Sequence, residues 1–236
     1  MLPTEKTPPD IKLNRQTILI YGPSKIGKST FCSQIDNALF LATEPGLNGL
    51  ETYNMPIKTW RELLDASSEI SKMDHKFEFI VIDTIDNAYQ MCSEYICERH
   101  KVFHESELQW GTGYAFVRNE FHRVINKLSL LPMGLILISH SKEKEIKTRT
   151  GSFSKIVPTL PEKASDMIVG LADIILYCDI ENKINENDKP YFNRVIHTKQ
   201  HTDYEAGDRT KKLPETLPLD FNEFVKYFNN KKGASK

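Results

Sequence analysis

The chain has 236 residues, 39% of them apolar and 27% charged, which is enough for one domain with a proper core and too hydrophobic for a disordered one. Its 31 basic and 32 acidic residues leave a net charge of −1, so a polyanion would have to be met by a local basic patch rather than by overall charge. The four cysteines form no CxxC pair, which suits buried free thiols in a reducing compartment, and no apolar run approaches the roughly 18 residues of a membrane span.

Residues 1–15 carry three prolines and many polar side chains and read as a flexible lead-in to one domain over 16–228. The start, Met1-Leu2-Pro3-Thr4, lacks the apolar stretch of a signal peptide, so the expectation is a cytoplasmic protein without a membrane partner. Residues 17–21 (TILIY) form a short apolar run ending at Gly22, and a helix pattern follows over 29–37. Further runs stand at 38–42 (ALFLA), 79–82 (FIVI), 135–138 (LILI), 174–177 (IILY) and 195–196. Short continuous runs of this kind fit strands buried on both faces, as in a parallel sheet covered by helices. Between them, residues 59–73 open on a Thr59 cap, 86–100 place Ala88, Tyr89, Cys92 and Ile96 on one helical face, and 114–131 repeat the pattern with Val117, Phe121, Val124, Ile125 and Leu128. Strand and helix alternate, the α/β signature. From 141 to 165 the composition turns polar and basic without periodicity and reads as a long functional or mobile loop. The lysine-rich tail, 229–236, reads as flexible.

Gly22-Pro23-Ser24-Lys25-Ile26-Gly27-Lys28-Ser29, followed by Thr30, matches G-x-x-x-x-G-K-[ST] in full, between a strand and a helix. Its glycines permit close backbone approach, and the loop N–H groups and the helix N-terminus meet phosphate oxygens. Lys28 supplies a mobile cation to the phosphates and Ser29 a hydroxyl for Mg²⁺, while Lys25 is given no role beyond the loop. The strand FEFIVID ends in Asp83, the candidate second holder of the metal. Thr84 follows it, not a glutamate, so a water-activating base must come from elsewhere. Glu44, after the 38–42 run and before Pro45-Gly46, falls at the sheet's carboxyl edge, where ligands of open α/β sheets gather; Asp86 is the next candidate.

Together GPSKIGKST, FLATEPGLNGLE, FIVIDTIDN, LILISHSKEKE and TKQHTDYEAGDRTKKLP resemble the RecA-like P-loop ATPases over residues 15–220. More closely they resemble the short phage nucleotide-binding proteins of the single-strand annealing and recombination type. The resemblance implies a RecA-like α/β core, a mostly parallel central sheet flanked by helices. It also implies ATP and Mg²⁺ as cofactors, hydrolysis stimulated by single-stranded DNA, a homo-oligomeric ring or filament, a single-strand-binding protein partner and the host cytoplasm. His140 stands where such cores commonly place a glutamine or asparagine against the γ-phosphate. Lys199 and Arg209 match basic residues that reach a neighbouring subunit's ATP. Lys147, Arg149 and Phe153 fall where such cores carry a DNA-binding loop. The competing reading is a nucleotide-gated switch or helicase-loading partner that binds protein. A metabolic kinase fits less well, since no lid-like arginine cluster is evident.

Overall fold

The first apolar run becomes strand β1 (Thr17–Gly22), buried along its whole length. Parallel neighbours on both sides explain this: β5 (Gly134–Thr148) on one and β7 (Ile174–Ile184) on the other. The structure, a computed structural model, describes residue 2 and residues 4–149, 151–184 and 190–230. Most of the tail expected to be flexible, from residue 231 on, lies outside the described residues.

The remaining strands are β2 (Ala38–Ala42), β3 (Tyr53–Pro56), β4 (Phe79–Asp83), β6 (Gly151–Pro158), β8 (Pro190–His197), β9 (Gly207–Asp208) and β10 (Thr216–Pro218). They are ordered β10-β8-β7-β1-β5-β4-β2-β3, with β6 beside β5 and β9 beside β7. The run from β7 to β3 is parallel throughout, while β6, β8, β9 and β10 pair antiparallel. The architecture is therefore α/β with a mostly parallel central sheet flanked by helices, as a P-loop NTPase fold requires.

Alternation along β1 sorts the two cores. Leu19 and Tyr21 face helices α2 (Trp60–Ser71), α3 (Ile85–His100), α4 (Thr112–Ser129) and α5 (Glu162–Leu171), where Trp60, Phe121 and Ile168 are buried. Ile18 and Ile20 face α1 (Lys28–Ser33) and α6 (Phe221–Asn229), packing near Phe31, Phe224 and Phe228. Each such side chain contributes about 1.5–3 kcal/mol by leaving water. Thr59 caps α2 by accepting from the Glu62 N–H, as its position before the helix pattern suggests. All four cysteines are free and buried. Among the described residues, no helix is long and apolar enough to cross a membrane.

Residues 141–165 are not a loop. β5 continues to Thr148, turns, and returns as β6, with Ser141 opposite Pro158 and Thr148 opposite Gly151. The outer part of the arm stands off the core, so its ladder there is held by backbone hydrogen bonds and carries charged residues where a buried strand would alternate apolar ones. Residues 162–165 of the same stretch open α5. Helix α1 also ends earlier than its pattern suggests, at Ser33.

Candidate functional site

The strand registers bring the candidate residues to one edge. Ala42 lies opposite Asp83, Asp83 opposite Ile138, and Gly22 opposite His140. β1, β2 and β4 thus end at this edge while β5 runs on past it, and Glu44, Asp83 and His140 line one cleft of about 640 Å³. The cleft is also lined by Ser24, Lys25, Lys28, Ser29 and Thr30, with Pro45, Gly46, Gly49 and Leu50 across from them.

Two glycines shape the loop for steric reasons. A Cβ on Gly22 would sit 2.6 Å from the Cys178 carbonyl oxygen of β7, so β1 can turn here only without a side chain. Gly27 takes φ +116°, a conformation in which L side chains are strained, and its carbonyl accepts the Phe31 N–H that starts α1. Ile26 is buried beneath the loop, while Pro23, Ser24 and Lys25 are exposed. The Lys28 ammonium curls into the loop and donates to the Gly22 and Pro23 carbonyls, each at 2.9 Å. Burial draws its pKa below the ordinary lysine value, against the pull of nearby Cys178, Asp83, Asp86 and Glu44.

Beside it, the Ser29 hydroxyl donates to Asp83 Oδ2 at 2.6 Å. Burial raises the Asp83 carboxyl above its ordinary range, and the Ser29 hydrogen bond opposes that rise. A hydroxyl and a buried carboxylate in contact, with a lysine close by, form a donor set suited to a hard divalent cation bound with a polyphosphate. The loop fits the phosphates through Gly27, which lines the cleft beside Lys28 and Ser29 without a side chain.

The first turn of α3 ties the rest together. Thr84 caps the helix, and the Thr43 and Thr84 backbones are linked through the Thr43 hydroxyl, which donates to the Thr84 carbonyl at 2.8 Å and accepts its N–H at 2.7 Å. Asn87 Nδ2 donates to Glu44 Oε2 at 3.1 Å. Asp86 accepts from the Ser139 hydroxyl and the His140 N–H, both at 2.9 Å. The His140 ring lies between its neighbours, with Nε2 3.6 Å from Glu44 Oε1 and Nδ1 3.2 Å from Ser24 Oγ. Asp86 is thus occupied in holding β5, and burial raises its carboxyl above the ordinary range. Asn87 was not read from the sequence. Its signal was available in IDTIDN, since a side chain three residues into a capped helix turns back toward the strand ends.

The other candidates lie elsewhere. Lys199 Nζ is 3.5 Å from the buried Asp208 carboxylate. Arg209 pairs with Asp173 at 3.3 Å and donates to the Gly170 carbonyl at 2.6 Å. Asp173 in turn holds the Thr17 N–H, so Arg209 sits at the opposite end of β1 from the phosphate loop. Lys147, Arg149 and Phe153 are exposed on the β5–β6 arm, and Phe153 is 42% accessible rather than tucked into the core.

The raised Asp83 carboxyl sets up a stability trade. A carboxyl whose folded pKa is raised destabilises the fold in full above that pKa, and the penalty fades as pH falls from there to the ordinary carboxylate value. Asp83→Asn is therefore expected to melt at or above the wild-type temperature at mildly alkaline pH, with the gap closing as the medium is acidified, while Mg²⁺-dependent turnover is lost. Thermal melts of nucleotide-free protein across a pH series check this. A large drop in melting temperature at alkaline pH would contradict it.

A family model described as an AAA domain matches residues 14–210 of this chain. Among curated proteins, the SPbeta prophage-derived uncharacterized protein YorG of Bacillus subtilis (strain 168) is 25% identical over 183 residues. That match covers 75% of this chain and 54% of the relative, so the chain spans about half the relative's length. The chain belongs to the AAA-domain family, a P-loop ATPase-type family.

Proposed function

We propose that this AAA-domain chain binds Mg·ATP in the cleft and hydrolyses it, and that it couples the cycle to single-stranded DNA in phage-type recombination or strand annealing. The observation that carries the first half is the convergence of four separate segments, Lys28-Ser29, Glu44, Asp83 and His140, on one cleft. In this reading Lys28 and the loop N–H groups hold the phosphates, and Ser29 and Asp83 hold magnesium. The metal supplies divalent charge against the triphosphate. Glu44, held by Asn87, takes the proton of the attacking water, and His140 meets the terminal phosphate. In a ring or filament, Lys199 and Arg209 are the candidates to act on a neighbour's nucleotide, which requires each to leave its carboxylate partner.

The DNA half rests on the β5–β6 arm. Lys142 donates to the Thr159 and Leu160 carbonyls, Lys144 pairs with Glu162 at 2.7 Å and Lys155 with Glu205 at 2.8 Å, so these three cations are held by the protein. Among the described residues, Lys147 and Arg149 form no ion pair. Lys147 lies near the end of β5, the strand that also carries His140, and Arg149 just beyond it; Phe153, opposite Ile146 on β6, is on the other face of the ladder from Lys147. Exposed cations and an exposed aromatic ring at the end of one arm suit a single strand that wraps it, whose phosphates and bases need one of each.

Titration of a fluorescent oligonucleotide at several salt concentrations tests the assignment. Neutralising Lys147 and Arg149 should weaken binding and flatten the log–log salt slope by about 0.7 for each phosphate that the side chain had neutralised. Phe153→Ala should lower affinity by about 1–3 kcal/mol and leave the slope unchanged, because stacking releases few counterions. Unaltered affinity and slope in all three variants would favour the nucleotide-gated protein switch or helicase-loading partner.

A further inference from the structure

Beyond the cleft, on the far side of the phosphate loop from Glu44, β7 and β8 raise a wall. β8 pairs antiparallel with β7, placing Arg194 opposite Ile180 and Phe192 opposite Asn182. Cys178 and Ile196, the opposed pair next along, belong to the core on the α1 side of the sheet. Alternation therefore turns Ile180, Arg194 and Phe192 to that same side, above the core and level with the loop. Two neighbours fix the wall against it. Around Gly27, the space a Cβ would take is bounded by Leu219 Cδ2 at 3.3 Å and Arg194 Nη1 at 3.6 Å. Leu219 is in turn tied to β8, its N–H donating to the Arg194 carbonyl at 3.1 Å. Among the described residues the Arg194 guanidinium forms no ion pair. Ile180 is 48% and Phe192 76% exposed, unusual for apolar side chains beside a nucleotide loop.

We infer that this wall, Arg194 with Leu219, Ile180 and Phe192, is the seat of the nucleoside end of the bound nucleotide. The inference rests on the proposed ATP site and adds its polarity. Glu44, Asp83 and His140 all approach the loop from the β2–β4–β5 side, so the terminal phosphate lies there. A triphosphate laid along the loop then directs its ribose and base the other way, across Gly27 toward β7 and β8. There a flat cation and exposed apolar side chains meet it, the chemistry that takes the face of a nucleobase. Arg194 stacks on the base, and Phe192 and Ile180 shield its edge from water.

Calorimetric titration of the full chain with Mg·ATP and with magnesium tripolyphosphate, which has no nucleoside, tests this. Among the described residues Arg194 makes no ion pair whose removal would strand a buried charge, so its variants are expected to fold. Arg194→Ala should lower ATP affinity about tenfold, the scale of a partly desolvated cation–π contact, and leave tripolyphosphate affinity unchanged. Arg194→Lys, which keeps the charge and loses the plane, should be as weak as the alanine variant, and Phe192→Ala should weaken ATP alone. Lys28→Ala should weaken both ligands, which separates the phosphate site from the nucleoside seat. ATP affinity unchanged in Arg194→Ala, or a loss shared equally by tripolyphosphate, would overturn the inference while leaving the ATP site standing. Wild-type protein that binds no ATP would overturn both.

Discussion

Lys28→Ala is expected to lose Mg·ATP binding by about a hundredfold or more in a calorimetric titration. The side chain is 5% exposed, and its ammonium lies within the loop, 2.9 Å from the Gly22 and Pro23 carbonyls. A hydrogen bond to a charged group contributes about 1.5–3 kcal/mol, and a phosphate interaction in a partly desolvated cleft sits at the upper end of that range. Each 1.4 kcal/mol is about tenfold in affinity, so removing one such interaction alone approaches the expected effect. The substitution also frees two backbone carbonyls, so circular dichroism should show that β1 and α1 remain folded. Unchanged Mg·ATP affinity in a folded variant would remove the phosphate-loop assignment.

Glu44→Gln is expected to bind Mg·ATP as the wild type does and to turn it over about a hundredfold more slowly or worse, the usual range for a positioned general base. The amide is nearly isosteric, and its oxygen can still accept from Asn87 Nδ2, as the carboxylate does at 3.1 Å. What it cannot do is take a proton from water. Single-turnover assays with matched nucleotide occupancy separate this loss from any change in binding. Wild-type turnover in this variant would move the base elsewhere. Asp86 would then be the next residue to replace, although its two oxygens are engaged by Ser139 and His140.

The parts of the fold legible in the sequence were those whose signal is local. The run from Thr17 to Tyr21 is apolar at almost every position because both faces of β1 are covered, and FIVID and ALFLA are legible for the same reason. The phosphate loop announces itself by spacing. The β5–β6 arm was hidden because its outer part, residues 143–154, is largely exposed and carries no apolar period to detect. β3 is exposed at all its positions and too short to show alternation. α6 could have been found: Phe221, Phe224 and Phe228 recur at helical spacing behind Asp220, whose side chain accepts the Glu223 N–H at the cap. In the cleft, Lys28, Ser29 and Asp83 were legible from their motifs, and Glu44 from its place after a strand. Asn87 and Arg194 were not, because their neighbours are set by sheet order: β2 beside β4 brings Glu44 to Asn87, and β8 beyond β7 brings Arg194 to Gly27.

Steady-state turnover of Mg·ATP, measured with and without a single-stranded oligonucleotide, bears most directly on the whole reading. Wild-type protein should hydrolyse ATP, and the rate should rise when the strand is added. The rise should vanish in the Lys147 and Arg149 variants, whose unstimulated rate is retained. The contrary result is a turnover that the strand leaves unchanged, with no oligonucleotide bound: the chain would then be a nucleotide-gated protein switch, and the β5–β6 arm would not be a DNA contact.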